Sequence, residues 1–284
     1  MTRQIHTWFE GDWHTGNPAV MKAADHGTWL GTLIFDGARM VDGLSPDLDK
    51  HCARANHSAL ALGFNPVMEA DAMVALIHEG LKRFESGTAV YIRPMMWTTE
   101  TDAVISGAPD STALCICLEE IPMAGPDAST TLTTTRFRRP TLDVATVNAK
   151  AGCLYPNNAR MMREAQAKGF GNALVADANG NVAETATANV FMVRDGEILT
   201  PMPNGTFLAG ITRARHMELL RGAGKTVVEA TLTFEDFHSA DEVFLTGNMS
   251  KLTPVTAFDD THYQVGPVAR LARELYWDWA KSTA

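Results

Sequence analysis

The chain has 284 residues, 45% hydrophobic and 20% charged, with a formal net charge of −9. That length can bury a large core without staples, in one large domain or two ordinary ones. The acidic balance argues against a nucleic-acid partner, which needs clustered Lys and Arg, and no apolar run approaches the ~20 residues of a membrane span.

The first residues, "MTRQIHTWFEGDWHTG", lack the apolar stretch of a signal peptide, so a cytoplasmic location is expected. Residues 6–10 and 13–14 flank "EGDW", a turn between two short strands. The stretch 25–43 mixes glycines with Leu33, Ile34 and Phe35, which suggests backbone packed tightly near a site. Helical apolar spacing follows over 45–64, ending at Gly63, and again over 68–84. Residues 88–97 and 112–122 read as strands. The second of these carries Cys115 and Cys117, which with Cys52 and Cys153 are expected as free thiols. No second Cys or His cluster has metal-site spacing. The small, polar, Pro-containing stretch "MAGPDAST" marks a linker.

In the second half, Arg136, Arg138 and Arg139 form a basic triplet, read here as a solvated loop. "PNNARMMREAQAKGFG" is a helix with Pro156 near its start and Gly169 as its stop. "ALVAD" and "VAETATANVFMV" are strands around the turn "ANGN", and the second opens a hairpin turning at Asp195-Gly196. A helix runs from about Thr212 to Leu220. A strand in "ADEVFLTGNMSKLTPV" ends in a glycine turn, and "GPVARLARELYWDWAKS" is the last helix. Mixed strands and helices in two halves give an α+β class: 1–122, a linker over 123–132, and 133–284.

Eight lysines are few enough to screen for a covalent role. Lys50, Lys82, Lys168 and Lys281 lie among charges on helices or at their ends, Lys22 and Lys225 lie near turns, and Lys251 follows a glycine turn. Lys150 has no charged neighbour within six residues on either side. It is either a strand-edge lysine snorkelling to water or a desolvated amine with nucleophilic character. "GITR" opens a helix whose free N–H groups and dipole suit an anion, with Thr212 able to cap. The turn in "FLTGNMSK", with Asn248, could face an anion too. Glu184 stands at the mouth of a strand headed into a core. A lysine imine, a phosphate cradle and a carboxylate for a ring nitrogen are what pyridoxal phosphate requires.

In order, Lys150 in "NAKAGCLY", Glu184 and Asn189 in "AETATANVF", then "AGITR" and "TGNMSKLTPV", resemble the class IV, fold type IV aminotransferases. "HGTWLGTLIFDGARM", "HCARANHSA" and "AVYIRPMMW" resemble the branched-chain amino acid aminotransferases within them. The likeness covers nearly the whole chain. It implies a fold like that of D-amino acid aminotransferase, with a smaller N-terminal α/β domain and a larger, barrel-like C-terminal domain with helices. Lys150 would carry pyridoxal phosphate as an imine and shuttle the proton, and Glu184 would bind the pyridine nitrogen. Tyr155 would bind the phenolic oxygen. Arg54, Ile211 and Thr212 would bind the phosphate, with Thr187 and Asn248 standing where the family has a glycine and a threonine. Asn189, counted with this cofactor set, would support the hairpin. Trp29, Phe35, Arg39, Tyr91, Arg93, Met249 and Ser250 would line the substrate side. Arg93 is either a carboxylate receptor or a fold-stabilising arginine.

The resemblance implies a homodimer taking a small-molecule amino donor and a 2-oxo acid acceptor such as 2-oxoglutarate, most simply with a branched-chain L-amino acid. The polar stretch "TTETDAVISGAPDS" and Trp29 depart from the branched-chain pattern. That keeps open an (R)-amine or D-amino acid transaminase, a lyase of the same fold like aminodeoxychorismate lyase, and a non-catalytic cofactor carrier.

Overall fold

Val90, Ile92 and Met96 on one strand, and Leu114, Ile116 and Leu118 on its neighbour, are buried and form one core with residues of two helices. Period-2 alternation puts these side chains on one sheet face. The computed structural model describes residues 3–103 and 105–283. The chain forms two compact units, each treated by itself below. The first runs to Met123 and takes in Asn148–Leu154, and the second comprises Ala124–Val147 and Tyr155–Thr283.

The first unit holds β1 (Ile5–Phe9), β2 (Asp12–Thr15), the short α1 (His26–Trp29), β3 (Leu33–Phe35), β4 (Ala38–Met40), α2 (Leu48–Ala61), α3 (Ala70–Leu81), β5 (Val90–Thr98), β6 (Thr101–Ala103), β7 (Ser106–Gly107) and β8 (Thr112–Glu120). Its main sheet runs β2-β1-β8-β5-β3, with β4 also on β5. Leu48, Cys52, Ala55 and Ala59 on α2, and Met73, Ile77 and Leu81 on α3, recur every three or four residues and are buried together in the core. Truncating one of them, as in Ile77→Ala, would cost about 2–5 kcal/mol through the lost burial and the cavity left behind. The polar stretch after "YIRPMMW" carries the small pair β6–β7.

The second unit holds β9 (Thr130–Thr134), α4 (Tyr155–Ala167), β10 (Asn172–Ala176), β11 (Val182–Thr185), β12 (Asn189–Arg194), β13 (Glu197–Pro201), α5 (Ile211–Gly222), β14 (Val227–Ala230), α6 (Phe234–His238), β15 (Glu242–Gly247), β16 (Lys251–Phe258), β17 (Thr261–His262) and α7 (Pro267–Ser282). Its sheet runs β11-β10-β9-β16-β15-β12-β13-β14, with β17 on β16. With the helices of both units, this is the α+β, fold type IV architecture.

One local expectation is corrected. The stretch 182–193 is not one strand. Thr185 Oγ1 donates to the Ala188 carbonyl at 2.8 Å and accepts from the Ala188 N–H at 3.0 Å. This local hydroxyl–backbone turn competes with the ladder. β11 pairs with β10, while β12 pairs with β13 and β15.

Candidate active site

In the first unit the lysine is placed by its backbone. Lys150 donates its N–H to Ser58 Oγ at 3.0 Å, and its carbonyl accepts from Phe35 N at 3.1 Å. Ala151 bridges to Ile34. The half-buried side chain puts Nζ 4.9 Å from the Phe35 ring centroid. With both backbone groups tied, only the side-chain torsions remain to move the amine.

Phe35, Tyr91 and Arg93 occupy the strand positions that alternate with the buried core residues, so they share the sheet face away from the core. Arg39 sits directly across from Tyr91, is fully buried, and donates to the Ile121 carbonyl. Burial lowers its pKa, with Tyr91 opposing. Arg93 lies 5.6 Å from the Tyr91 ring centroid and contacts Cys117 Sγ at 3.4 Å and Glu119 at 3.5 Å. A Cβ at position 37 would collide with the Tyr91 hydroxyl, so Gly37 permits this approach. Trp29 stands at the end of α1, 55% exposed.

Arg54 is anchored through Nε and Nη2 to Asp36 at 2.7 and 2.9 Å. His51 Nδ1, one turn earlier on α2, meets the same carboxylate at 2.7 Å, and Gly37 N donates to it at 2.7 Å. Burial alone would raise the Asp36 carboxyl. The charge and hydrogen bonds of Arg54, with those of His51, override it and hold the group well below the usual carboxylate range.

In the second unit Glu184, on β11, is braced from two sides. Arg139 Nη2 pairs with Oε1 at 3.0 Å, and Asn189 Nδ2 donates to Oε2 at 3.3 Å. Asn189 Nδ2 also reaches the Leu208 carbonyl at 3.1 Å. The break at 186–188 creates this pairing, because it lets residues five apart on different strands meet. Arg139 further donates to Asn158 and to the Thr185 and Ala186 carbonyls. The basic triplet is therefore not all solvated loop: Arg136 and Arg138 are exposed, but Arg139 is buried against Glu184. Sequence reasoning missed Arg139 because its partner lies 45 positions away and no local pattern links them.

Tyr155 opens α4. Thr187 is exposed, and its Oγ1 accepts from Asn172 Nδ2 at 2.9 Å. The helix cap is corrected: the N-cap of α5 is Gly210, which has no side chain to cap with, and Thr212 is buried inside the first turn. The N–H groups of Ile211 and Thr212 therefore open the helix without side-chain capping. A Cβ at Gly210 would run into Asn189 Oδ1, so only glycine lets the helix start lie against this strand end. Asn248, Met249 and Ser250 form the turn between β15 and β16, with Met249 48% exposed. Asn248 Nδ2 and Thr246 Oγ1 are buried with no hydrogen-bond partner among the described residues. Buried donors without acceptors are costly and rare.

The sequence profile of the class IV amino-transferases matches residues 33–258. The chain belongs to that family. It is a pyridoxal-phosphate-dependent aminotransferase. A crystal structure of a Brucella abortus aminotransferase bound to the co-factor PLP is 57% identical and superposes with a TM-score of 0.97, covering 98% of this chain and 100% of that one. The branched-chain-amino-acid aminotransferase of Escherichia coli K12 is 26% identical over 292 residues, covering 96% of this chain and 92% of its own. A T.th. branched-chain amino acid aminotransferase complexed with N-(5'-phosphopyridoxyl)-L-glutamate is 28% identical with a TM-score of 0.88, covering 98% of this chain and 95% of that one. The residues present suit pyridoxal phosphate: a braced carboxylate for a ring cation, and an uncapped helix start with unspent donors nearby for a phosphate.

Proposed function

We propose that this aminotransferase moves the amino group between a branched-chain L-amino acid and a 2-oxo acid such as 2-oxoglutarate. The observation that carries the site assignment is Glu184 held between Arg139 and Asn189. The carboxylate is fixed in place by both contacts, as a partner for a pyridinium N–H must be. Bound pyridoxal phosphate supplies an electron sink for the pair left when the substrate loses its α-proton.

The chain's residues do the rest. Lys150 Nζ holds the cofactor and then takes and returns the α-proton. Tyr155 orients the ring through its phenolic oxygen. Arg54, the N–H groups of Ile211 and Thr212, Asn248 and the backbone at Thr187 receive the phosphate. Arg93 gives a cation for a substrate carboxylate, and Trp29, Phe35, Arg39, Tyr91, Met249 and Ser250 shape the substrate side. The branched-chain choice is supported by the names of the Escherichia coli and T.th. relatives, and the glutamate adduct in the latter supports the acceptor. We further propose a homodimer, which light scattering of the purified enzyme tests.

The decisive experiment is a panel of amino donors against 2-oxoglutarate and pyruvate, with the cofactor's spectrum followed in half-reactions. L-Leucine and L-valine should convert it to the aminated form. Conversion by D-alanine or (R)-1-phenylethylamine alone would transfer the assignment to the opposite stereochemistry.

A further inference from the structure

The roles above leave a buried lysine unused. Lys251, the first residue of β16, is 1% exposed and sits at φ 60°, in the left-handed region. Its Nζ donates to Asn248 Oδ1 at 2.5 Å and lies 5.8 Å from the ring centroid of Tyr276 on α7. Tyr276 stacks on His216, whose Nε2 lies 3.2 Å from the Lys251 carbonyl. The lysine is therefore set by its own backbone and by the rings beneath it.

An ammonium group only donates hydrogen bonds. Asn248 must therefore turn its carbonyl oxygen toward Lys251, which sends Nδ2 the other way. That Nδ2 is buried without an acceptor among the described residues, and so is the hydroxyl of Thr246, itself 1% exposed. The β12–β15 register puts Thr246 opposite Asn189. Asn189 is the residue against which Gly210, at the start of α5, is packed. Two unspent polar groups thus lie about the strand end that the uncapped helix start abuts.

We propose that Lys251 is a positioning residue for the cofactor phosphate: it presets the Asn248 amide so that Nδ2 donates to a phosphate oxygen. This rests on the pyridoxal-phosphate reading of the site. A side-chain amide rotates and has an acceptor end that would repel an anion. Fixing the carbonyl on Lys251 removes the wrong orientation before the ligand arrives, and the ammonium adds favourable charge behind it.

The test is the equilibrium dissociation constant of the apoenzyme for pyridoxal phosphate and for pyridoxal, which lacks the phosphate. It is measured by absorbance for the wild type, Lys251→Met, Asn248→Ala and the double variant. Lys251→Met should weaken pyridoxal phosphate roughly tenfold or more, the value of a charged hydrogen bond, and change pyridoxal binding less than about twofold. The double variant should bind no more weakly than Asn248→Ala alone, because coupled residues are non-additive. Equal weakening of both ligands by Lys251→Met, no weakening of either, or additive effects would overturn the proposal. If Lys251→Met does not fold, as judged by circular dichroism, Asn248→Ala must by itself lower the preference for the phosphorylated ligand. An unchanged preference overturns the proposal. A wild type that binds neither ligand sinks the cofactor reading itself. A wild type that prefers pyridoxal phosphate, with Lys251→Met unaltered, sinks only the role of Lys251.

Discussion

Asp36 in the first unit and Glu184 in the second are both carboxylates paired with an arginine, yet they are finished differently. Asp36 has a fully buried side chain and takes Arg54 through two nitrogens, His51 and the Gly37 N–H. Glu184 keeps 14% of its side chain exposed and takes Arg139 on one oxygen and Asn189 on the other. The first arrangement saturates a buried charge and makes it a strut beneath Arg54. The second braces a carboxylate whose side chain stays partly exposed. Being paired with an arginine therefore does not make a carboxylate structural. How deeply each is buried is what separates the two.

Breaking the strut should cost the most stability. Asp36→Ala leaves Arg54 beside a cavity without its counter-charge, and removing one partner of a buried pair costs about 3–5 kcal/mol. Urea unfolding of the apoenzyme would show it, and a loss under ~1 kcal/mol would mean Asp36 is not the strut described.

Acid should separate the two units next. His216 in the second unit is fully buried, and burial depresses its pKa from 6.5 to about 4, with only partial opposition from backbone contacts. Its folded pKa lies below its unfolded one. Its contribution is thus complete above about pH 6.5 and is lost as pH falls toward about 4, roughly 3 kcal/mol over that window. Asp36 is also depressed, so its contribution is present above its unfolded value of 3.8 and survives until pH falls well below that. Hydrogen exchange followed between pH 7 and 4.5 should therefore show the helices around His216 loosening before α2. The reverse order would break the comparison.

The smallest of the three in free energy falls on turnover. Glu184→Ala should slow transamination by more than ~10²-fold, about 2.7 kcal/mol of barrier, while unfolding free energy changes by less than Asp36→Ala changes it. Near-normal turnover would return Glu184 to a structural role.

Much of this was legible in the sequence. Apolar spacing with glycine stops located α2, α3, α4 and α7 within a few residues, because amphipathic stripes and caps are local signals. The break between β11 and β12 was not, since Thr185 reads as a strand former until its hydroxyl is seen closing a turn. Lys150 stood out through its lack of charged neighbours, while its role came only from the family resemblance, and its backbone contacts to Ser58 and Phe35 are ones that no spacing reveals. His51 and Arg54, three apart on a helix, carried a readable hint that they share a target, but Asp36 as that target did not. Arg139 and Lys251 were hidden for one reason: each is a cation with tertiary contacts, to the Thr185 carbonyl and to the Tyr276 ring, within sequence that looks like loop.

The most direct test of the whole account is to reduce the cofactor-loaded enzyme with borohydride and map the labelled peptide. The pyridoxyl label should fall on Lys150, in the peptide containing "NAKAGCLY". A label on any other lysine, above all the buried Lys251, or no label at all, would contradict it.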